Sequence, residues 1–289
     1  MKNTAKLSLL IILLCSLGCA AGTESIRAEN PAQQPLAIRN LRTMSNEAVT
    51  DLAGKWSGGE VYVIVHPSYY LFFHDKPFSI ASADGKNIVS SFIETKYAET
   101  GPVIMLMKEY EKAELDFISA AREKGIRVIF LIPGNYSNSP RYLYTEGPDE
   151  YTKYLNGLTQ GSDNFVYLES MSVNTGKMSK EHQSLFLNFL KQADVRKVYV
   201  GGGYIGRCQK EFYNFLAHNW SKDNIAIIPE ISAFSPDDLT DPAAKMLLTS
   251  DLKLNKAAVS VFIANGGVRN LNADNKPNLV NTPLTDIIR

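Results

Sequence analysis

The sequence predicts an α/β protein with three layers: a mostly parallel sheet with helices on both faces. Three observations predict it. The run Val61–Val65 (VYVIV) is apolar at every position and β-branched at most of them. That is the signature of a strand covered on both faces, not of one with a solvated side. Segments of helical periodicity alternate with such runs, and a helix between two strands makes a right-handed crossover to a parallel neighbour. The 289 residues are 45% hydrophobic and 21% charged, which is enough apolar material for one sizeable core.

Taken in order, the sequence opens with Lys2 and Lys6 and an apolar stretch from Leu7 to Leu14. The stretch is too short to cross a bilayer as a helix, so it reads as an export signal. Ser16-Leu-Gly-Cys19 follows and resembles the bacterial lipoprotein signal. The resemblance implies cleavage before Cys19, a lipid on Cys19 and anchoring in the cell envelope. Ala20 in place of Asp then implies the periplasmic face of the outer membrane. Residues 1–19 are thus the expected signal.

Residues 20–59 are polar and mixed, with Pro31 and Pro35, and read as a tether. A short helix is expected around Ser45 to Leu52. The α/β domain is expected over 60–265. Lys108 to Lys124 has helical spacing, with Leu115, Ile118 and Ala121 on one face and Gly125 as its stop. Arg127 to Ile132 is the next strand, closed by Pro133-Gly134, and Phe165 to Leu168 is a short one. Ser179 caps a helix carrying Leu185, Phe186, Phe189 and Leu190. Lys197 to Val200 is a strand, Gly206 to Trp220 a helix, and Ile225 to Ile228 a strand ended by Pro229-Glu230. Residues 266–289 are rich in Asn and Pro and read as an irregular tail that wraps the domain or meets a partner.

Lys+Arg and Asp+Glu both total 30. Loss of a leader with Lys2 and Lys6 would leave 28 basic against 30 acidic side chains. That balance offers nothing to nucleic acid. The cysteines are Cys15, Cys19 and Cys208. With Cys15 cleaved off and Cys19 lipidated, Cys208 stands alone and no internal disulfide forms. No spacing of His, Cys, Asp and Glu argues for a metal, and no cofactor is expected.

In an open parallel sheet, function gathers beyond the carboxyl ends of the strands. There the sequence places His66-Pro-Ser-Tyr69-Tyr70, Glu169, the run Val198–Cys208 (VYVGGGYIGRC), and Glu230. A helix opening at a thiol would favour thiolate. Cys208, His66 and Glu169 are the parts of a cysteine nucleophile: attacking atom, base and orienter. The N–H groups of Gly203, Tyr204 and Gly206 would receive an oxyanion. Arg207, Tyr69 and Tyr70 would contact a substrate. Tyr136, Tyr142, Tyr144, Tyr151 and Tyr154 either line a pocket or pack loops onto the sheet. His74 and His182 read as solvated positions.

The order of segments resembles the isochorismatase-like cysteine hydrolases. The matching runs are VIVHPSYYLFF, AREKGIRVIF, VYVGGGYIGRC and IAIIPE. The resemblance covers roughly Val61 to Phe234. It implies a nucleophile at Cys208 and hydrolysis of a small amide or ester. The family's catalytic acid falls at His66 or Pro67, and its lysine near Glu169. A small-molecule, glycan or peptide binding module on the same scaffold is the alternative. Another is a dinucleotide site, since Gly201 to Gly206 satisfies G-x-G-x-x-G and Glu230 stands where a ribose-binding acid would.

Overall fold

The computed structural model describes residues 35–68, 78–81, 87–90, 101–134, 136, 150–233, 238–243, 267–268, 277–280 and 284–287. Its elements, in sequence order, begin with β1 (Arg39–Asn40), α1 (Asn46–Lys55) and β2 (Glu60–Val65). A hairpin follows, β3 (Phe78–Ala81) and β4 (Asn87–Ser90), then α2 (Gly101–Lys124) and β5 (Val128–Ile132). Next come α3 (Glu150–Thr159), β6 (Phe165–Glu169), α4 (Lys180–Gln192) and β7 (Lys197–Gly202). The last described elements are α5 (Cys208–Asn219), β8 (Ile225–Ser232) and α6 (Leu284–Ile287).

Six strands form one sheet in the order β1-β6-β5-β2-β7-β8. Every neighbouring pair in it is parallel. The fold class is the one the apolar strands and intervening helices predict. The order also locates the crevice. From β2 the polypeptide steps to β5 and β6 on one side, then returns to β7 and β8 on the other. The reversal makes the carboxyl end of β2 a topological switch point.

Two apolar clusters lie on the two faces of the sheet. One joins Val61, Val63, Val65, Val166, Leu168, Val198 and Val200 to Trp56 just past α1, Phe186 and Phe189 of α4, and Phe212 and Leu216 of α5. The other joins Tyr62, Ile64, Phe130, Ile132 and Phe165 to Phe117, Ile118 and Ala121 of α2 and to Tyr151 and Leu155 of α3. Odd positions of β2 face one cluster and even positions the other, as the two-residue period of a strand requires. Edge-on rings fill the first face, Trp56 against Phe189 at 5.3 Å and Phe186 against Phe212 at 5.6 Å.

The 20–59 tether is corrected within the described residues. There, β1 pairs with β6, and Leu41, Leu52, Ala53 and Trp56 are buried in the core. The expected short helix is α1, with Ser45 accepting the Ala48 N–H as its cap. Residues 35–59 therefore belong to the α/β fold, because α1 carries apolar residues that cover α4. Strand β8 does not stop at Pro229-Glu230. It runs on to Ser232, with a register shift against β7 between Val200 and Gly202. A bulge of this kind lets a strand carry proline. Of the tail, Leu279 pairs with Ile227 and the Val280 N–H donates to Ile227 C=O at 2.9 Å. Those residues lie along β8.

Candidate functional site

The candidate site is built where β2, β5, β6 and β7 end. His66 follows β2, and its N–H donates to Leu131 C=O at 2.8 Å. Its φ of 49° is in the left-handed region, which turns the backbone sharply into Pro67. The ring is 3% exposed and shares a hydrogen bond with Ser170 Oγ at 2.9 Å. Burial pushes the imidazole pKa down to about 3, against the opposing hydrogen bond to the Thr175 backbone. His66 is neutral at ordinary pH.

Ser170 is the residue that sequence reasoning missed. Its hydroxyl donates to Ser172 C=O at 2.9 Å and receives the Gly134 N–H at 3.3 Å. Glu169 does not join the site. It shares the face of Phe165 and Tyr167, with α2 and α3, where burial raises the Tyr167 pKa and the Glu169 carboxylate adds to the rise. Cys208 belongs to the opposite cluster. The role given to Glu169 is corrected for that reason. Its backbone carbonyl instead accepts from His182 Nδ1 at 2.9 Å. His182 is 7% exposed, not a solvated position.

Cys208 opens α5, two residues after the expected start at Gly206, and its environment reverses the expectation of a thiolate. The residue is 8% exposed. Burial pushes the thiol up to about 12, and the Glu211 carboxylate adds to this more than Arg207 offsets it. Among the described residues no hydrogen bond joins Cys208 to His66. Between them runs the segment after β6. The Thr175 backbone meets the His66 ring. A Cβ on Gly176 would lie 1.9 Å from Cys208 C=O, so only glycine allows that approach. The expected base is therefore not hydrogen-bonded to the expected nucleophile.

The glycine turn is largely satisfied from within. Gly202 has φ 96°, and a Cβ there would lie 2.0 Å from Val65 C=O, a place only glycine can take. The Gly203 N–H donates to Val65 C=O, Ile205 N–H to Ala233 C=O and Arg207 N–H to Tyr204 C=O. The peptide between Gly203 and Tyr204 is cis. Gly203 is thus corrected as an oxyanion donor. The Gly206 N–H has no backbone acceptor among the described residues, and the Cys208 N–H faces its own thiol. Tyr204 is buried, with the Arg207 guanidinium 5.0 Å above its ring. Arg207 Nε donates to Asp238 Oδ1 at 2.7 Å. Tyr69, Tyr70 and Cys19 lie outside the described residues, as do Tyr142, Tyr144 and His74.

The dinucleotide alternative is corrected too. Phosphate would need the N–H groups that Val65 and Ala233 already hold. Glu230 lies inside β8, and its carboxylate accepts the Leu284 N–H at 2.7 Å.

A second polar group sits under the turn after β2. Ser68 Oγ donates to Glu114 Oε1 at 2.7 Å, and both side chains are fully buried. Tyr151 OH donates to Pro67 C=O at 2.6 Å and stands edge-on to Tyr136 at 5.1 Å. These tyrosines pack the loop onto the sheet. Glu114 carried a legible signal. It falls on the same helical face as Tyr110, Phe117, Ile118 and Ala121, and a carboxylate on an apolar stripe must find a buried partner. Two clefts lined by described residues lie elsewhere, one between α1 and α4 and one at the amino ends of β7 and β8. Among the described residues no group of three or more His, Cys, Asp or Glu is placed to hold a metal ion.

No protein-family model matches the sequence, and no curated protein matches it. Solved structures give distant likenesses. One is the nicotinamidase of Staphylococcus aureus, at 11% identity and a TM-score of 0.37, covering 78% of this protein and 99% of that one. Another, from Oleispira antarctica, is assigned as an isochorismatase hydrolase, at 10% identity and a TM-score of 0.35, covering 79% of this protein and 95% of that one. A third is the N-carbamoylsarcosine amidase of Thermoplasma acidophilum, at 15% identity and a TM-score of 0.35, covering 65% of this protein and 88% of that one. The α/β architecture itself rests on the strand order and the two helical layers.

Proposed function

We propose that this protein is an envelope-anchored, non-catalytic binding module on an isochorismatase-like scaffold, taking a small polar ligand at the carboxyl end of its sheet. One observation carries the reading. His66 and Ser170, which stand at or beside the positions the resemblance gives to an acid and a lysine, form a neutral pair 2.9 Å apart. Neither holds a charge beside Cys208. Arg207, the cation nearest in sequence, is paired with Asp238. A buried thiol with no bonded base stays protonated. A buried neutral imidazole and hydroxyl suit hydrogen bonding to a polar ligand better than they suit proton transfer. The envelope address rests on the leader alone.

The test is alkylation of Cys208 in the full-length protein, read on its own peptide by mass spectrometry from pH 6 to 10. The expected rate rises about tenfold per pH unit with no plateau, as for a thiol that titrates above the range. A plateau at or below pH 8 would overturn the reading.

A second reading is a cysteine hydrolase of a small amide or ester. The open N–H of Gly206, beside the start of α5, favours it, because a free donor at a helix start suits an oxyanion. It requires turnover of simple amides or esters that Cys208→Ala abolishes. The binding module requires no such turnover.

A further inference from the structure

Within the segment from Ser170 to Met178, one side chain of α5 ties Thr175 and Gly176 to that helix. Glu211, one turn into α5, accepts from Thr175 Oγ1 at 2.6 Å and from the Gly176 N–H at 2.9 Å through its Oε2. Its Oε1 lies 3.7 Å from Lys177 Nζ, a largely exposed pair that adds little. Gly176 rests its backbone on Cys208 C=O. The segment is braced internally. The Met171 N–H donates to Lys177 C=O at 2.8 Å and closes its neck, and Lys177 N–H donates to Thr175 Oγ1 at 3.1 Å. These bonds tie the tip into one unit, with its neck where Met171 and Lys177 meet. Met171, at that neck, is 59% exposed, a large apolar side chain left in water.

We infer that residues 171–177 form a gate over Cys208, latched by Glu211, whose opening uncovers the thiol and the His66 face of the crevice. The two hydrogen bonds to Glu211, the packing of Gly176 on Cys208 C=O and the Thr175 backbone bond to the His66 ring hold it shut. Thr175 stands against His66 and Gly176 against Cys208, so lifting this dipeptide joins two halves of the site that the closed form keeps apart. A carboxylate receiving two hydrogen bonds from one dipeptide is a latch that a competing ligand donor can displace. The inference holds whether the uncovered site binds or cleaves.

The test uses the full-length protein and reads two quantities. The first is alkylation of the Cys208 peptide at pH 8. The second is amide hydrogen exchange over 171–177 against the middle of α5. Glu211→Ala removes the latch, but it also removes a charge that disfavours thiolate. Gly176→Ala keeps that charge and pushes a methyl into Cys208 C=O. Thr175→Val removes one of the two hydrogen bonds. The gate predicts alkylation at least about tenfold faster in both Glu211→Ala and Gly176→Ala, a smaller rise in Thr175→Val, and faster exchange confined to 171–177. Faster alkylation in Glu211→Ala alone would show a charge effect and overturn the gate. Exchange rising equally across α5 and β7 would show general loosening and overturn it as well. Rates within about twofold of the parent in every variant would do the same. Thermal melts identify any variant that has not folded, and Thr175→Val is small enough to keep the comparison intact.

Discussion

At the scale of single residues, the neutral His66 sets a pH dependence whose sign can be worked out. Its folded pKa is about 3, below the ordinary 6.5 of a free histidine. The unfolded state therefore binds a proton that the folded state refuses between those values. Stability from this group is complete above about 6.5 and falls as pH drops toward 3. At pH 5 the loss is about 2 kcal/mol, at ~1.4 kcal/mol per unit. Melting curves from pH 7 to 5 should fall more steeply for the parent than for His66→Gln, which keeps an uncharged polar side chain. Equal slopes would mean that His66 accepts its proton in the folded state. The same residue shows what a sequence makes legible. His66 is found at a strand end because a strand must stop where its apolar run stops, and Cys208 follows β7 across the glycine turn. Their electrostatics are hidden, because burial is set by a segment that arrives from β6. The partner of His66 lies one residue beyond the expected one. In a strand a step of one changes the face, so Glu169 goes to the α2 and α3 side while Ser170, just past the strand end, meets the imidazole.

At the scale of elements, α1 shows how far periodicity reaches. Its cap is legible at Ser45, and the helix is there. Its membership in the fold is not legible. Trp56 just past its end, with Leu52 and Ala53, is only a short apolar patch until Phe189 of α4 stands opposite. Strand β1 has two residues, too few for any pattern. One substitution at this helix end should then have a large effect. Trp56→Ala removes a fully buried ring and its edge contact, and should cost about 3–5 kcal/mol. Ser45→Ala loses only a cap on a mostly exposed end and should cost about 1 kcal/mol. Chemical denaturation of both variants checks the ratio. A Trp56→Ala loss no greater than that of Ser45→Ala would return residues 35–59 to the role of tether.

At the scale of the whole molecule, the sheet has two edges, and the protein treats them differently. β1 makes one edge short, which limits what can pair with it. β8 makes the other edge eight residues long, and residues 277–280 run along it. The Ile227 N–H donates to Asn278 C=O at 2.8 Å, and Val280 N–H to Ile227 C=O at 2.9 Å. Val280 and Leu284 are both 8% exposed and complete the α2 and α3 face. Glu230, which the sequence puts where a ribose-binding acid would stand, instead accepts the Leu284 N–H. Removing residues 277–289 should therefore do two things at once. Burial of Val280 and Leu284 is lost, at a cost of about 3 kcal/mol or more. The middle of β8 regains unpaired N–H and C=O groups and becomes a template for a second molecule. The shortened protein should melt lower and associate as concentration rises. Light scattering after size exclusion, with the shortened and full-length proteins compared across a tenfold dilution, separates the two effects. A truncated protein that melts with the parent and scatters as the parent does at every concentration would show that these residues only lie beside β8 without protecting it. The prediction also reaches the site, since β8 ends at Ser232, whose Oγ accepts from Gln209 at 2.7 Å beside Cys208. Loosening β8 should then raise Cys208 alkylation even with the Glu211 contacts intact.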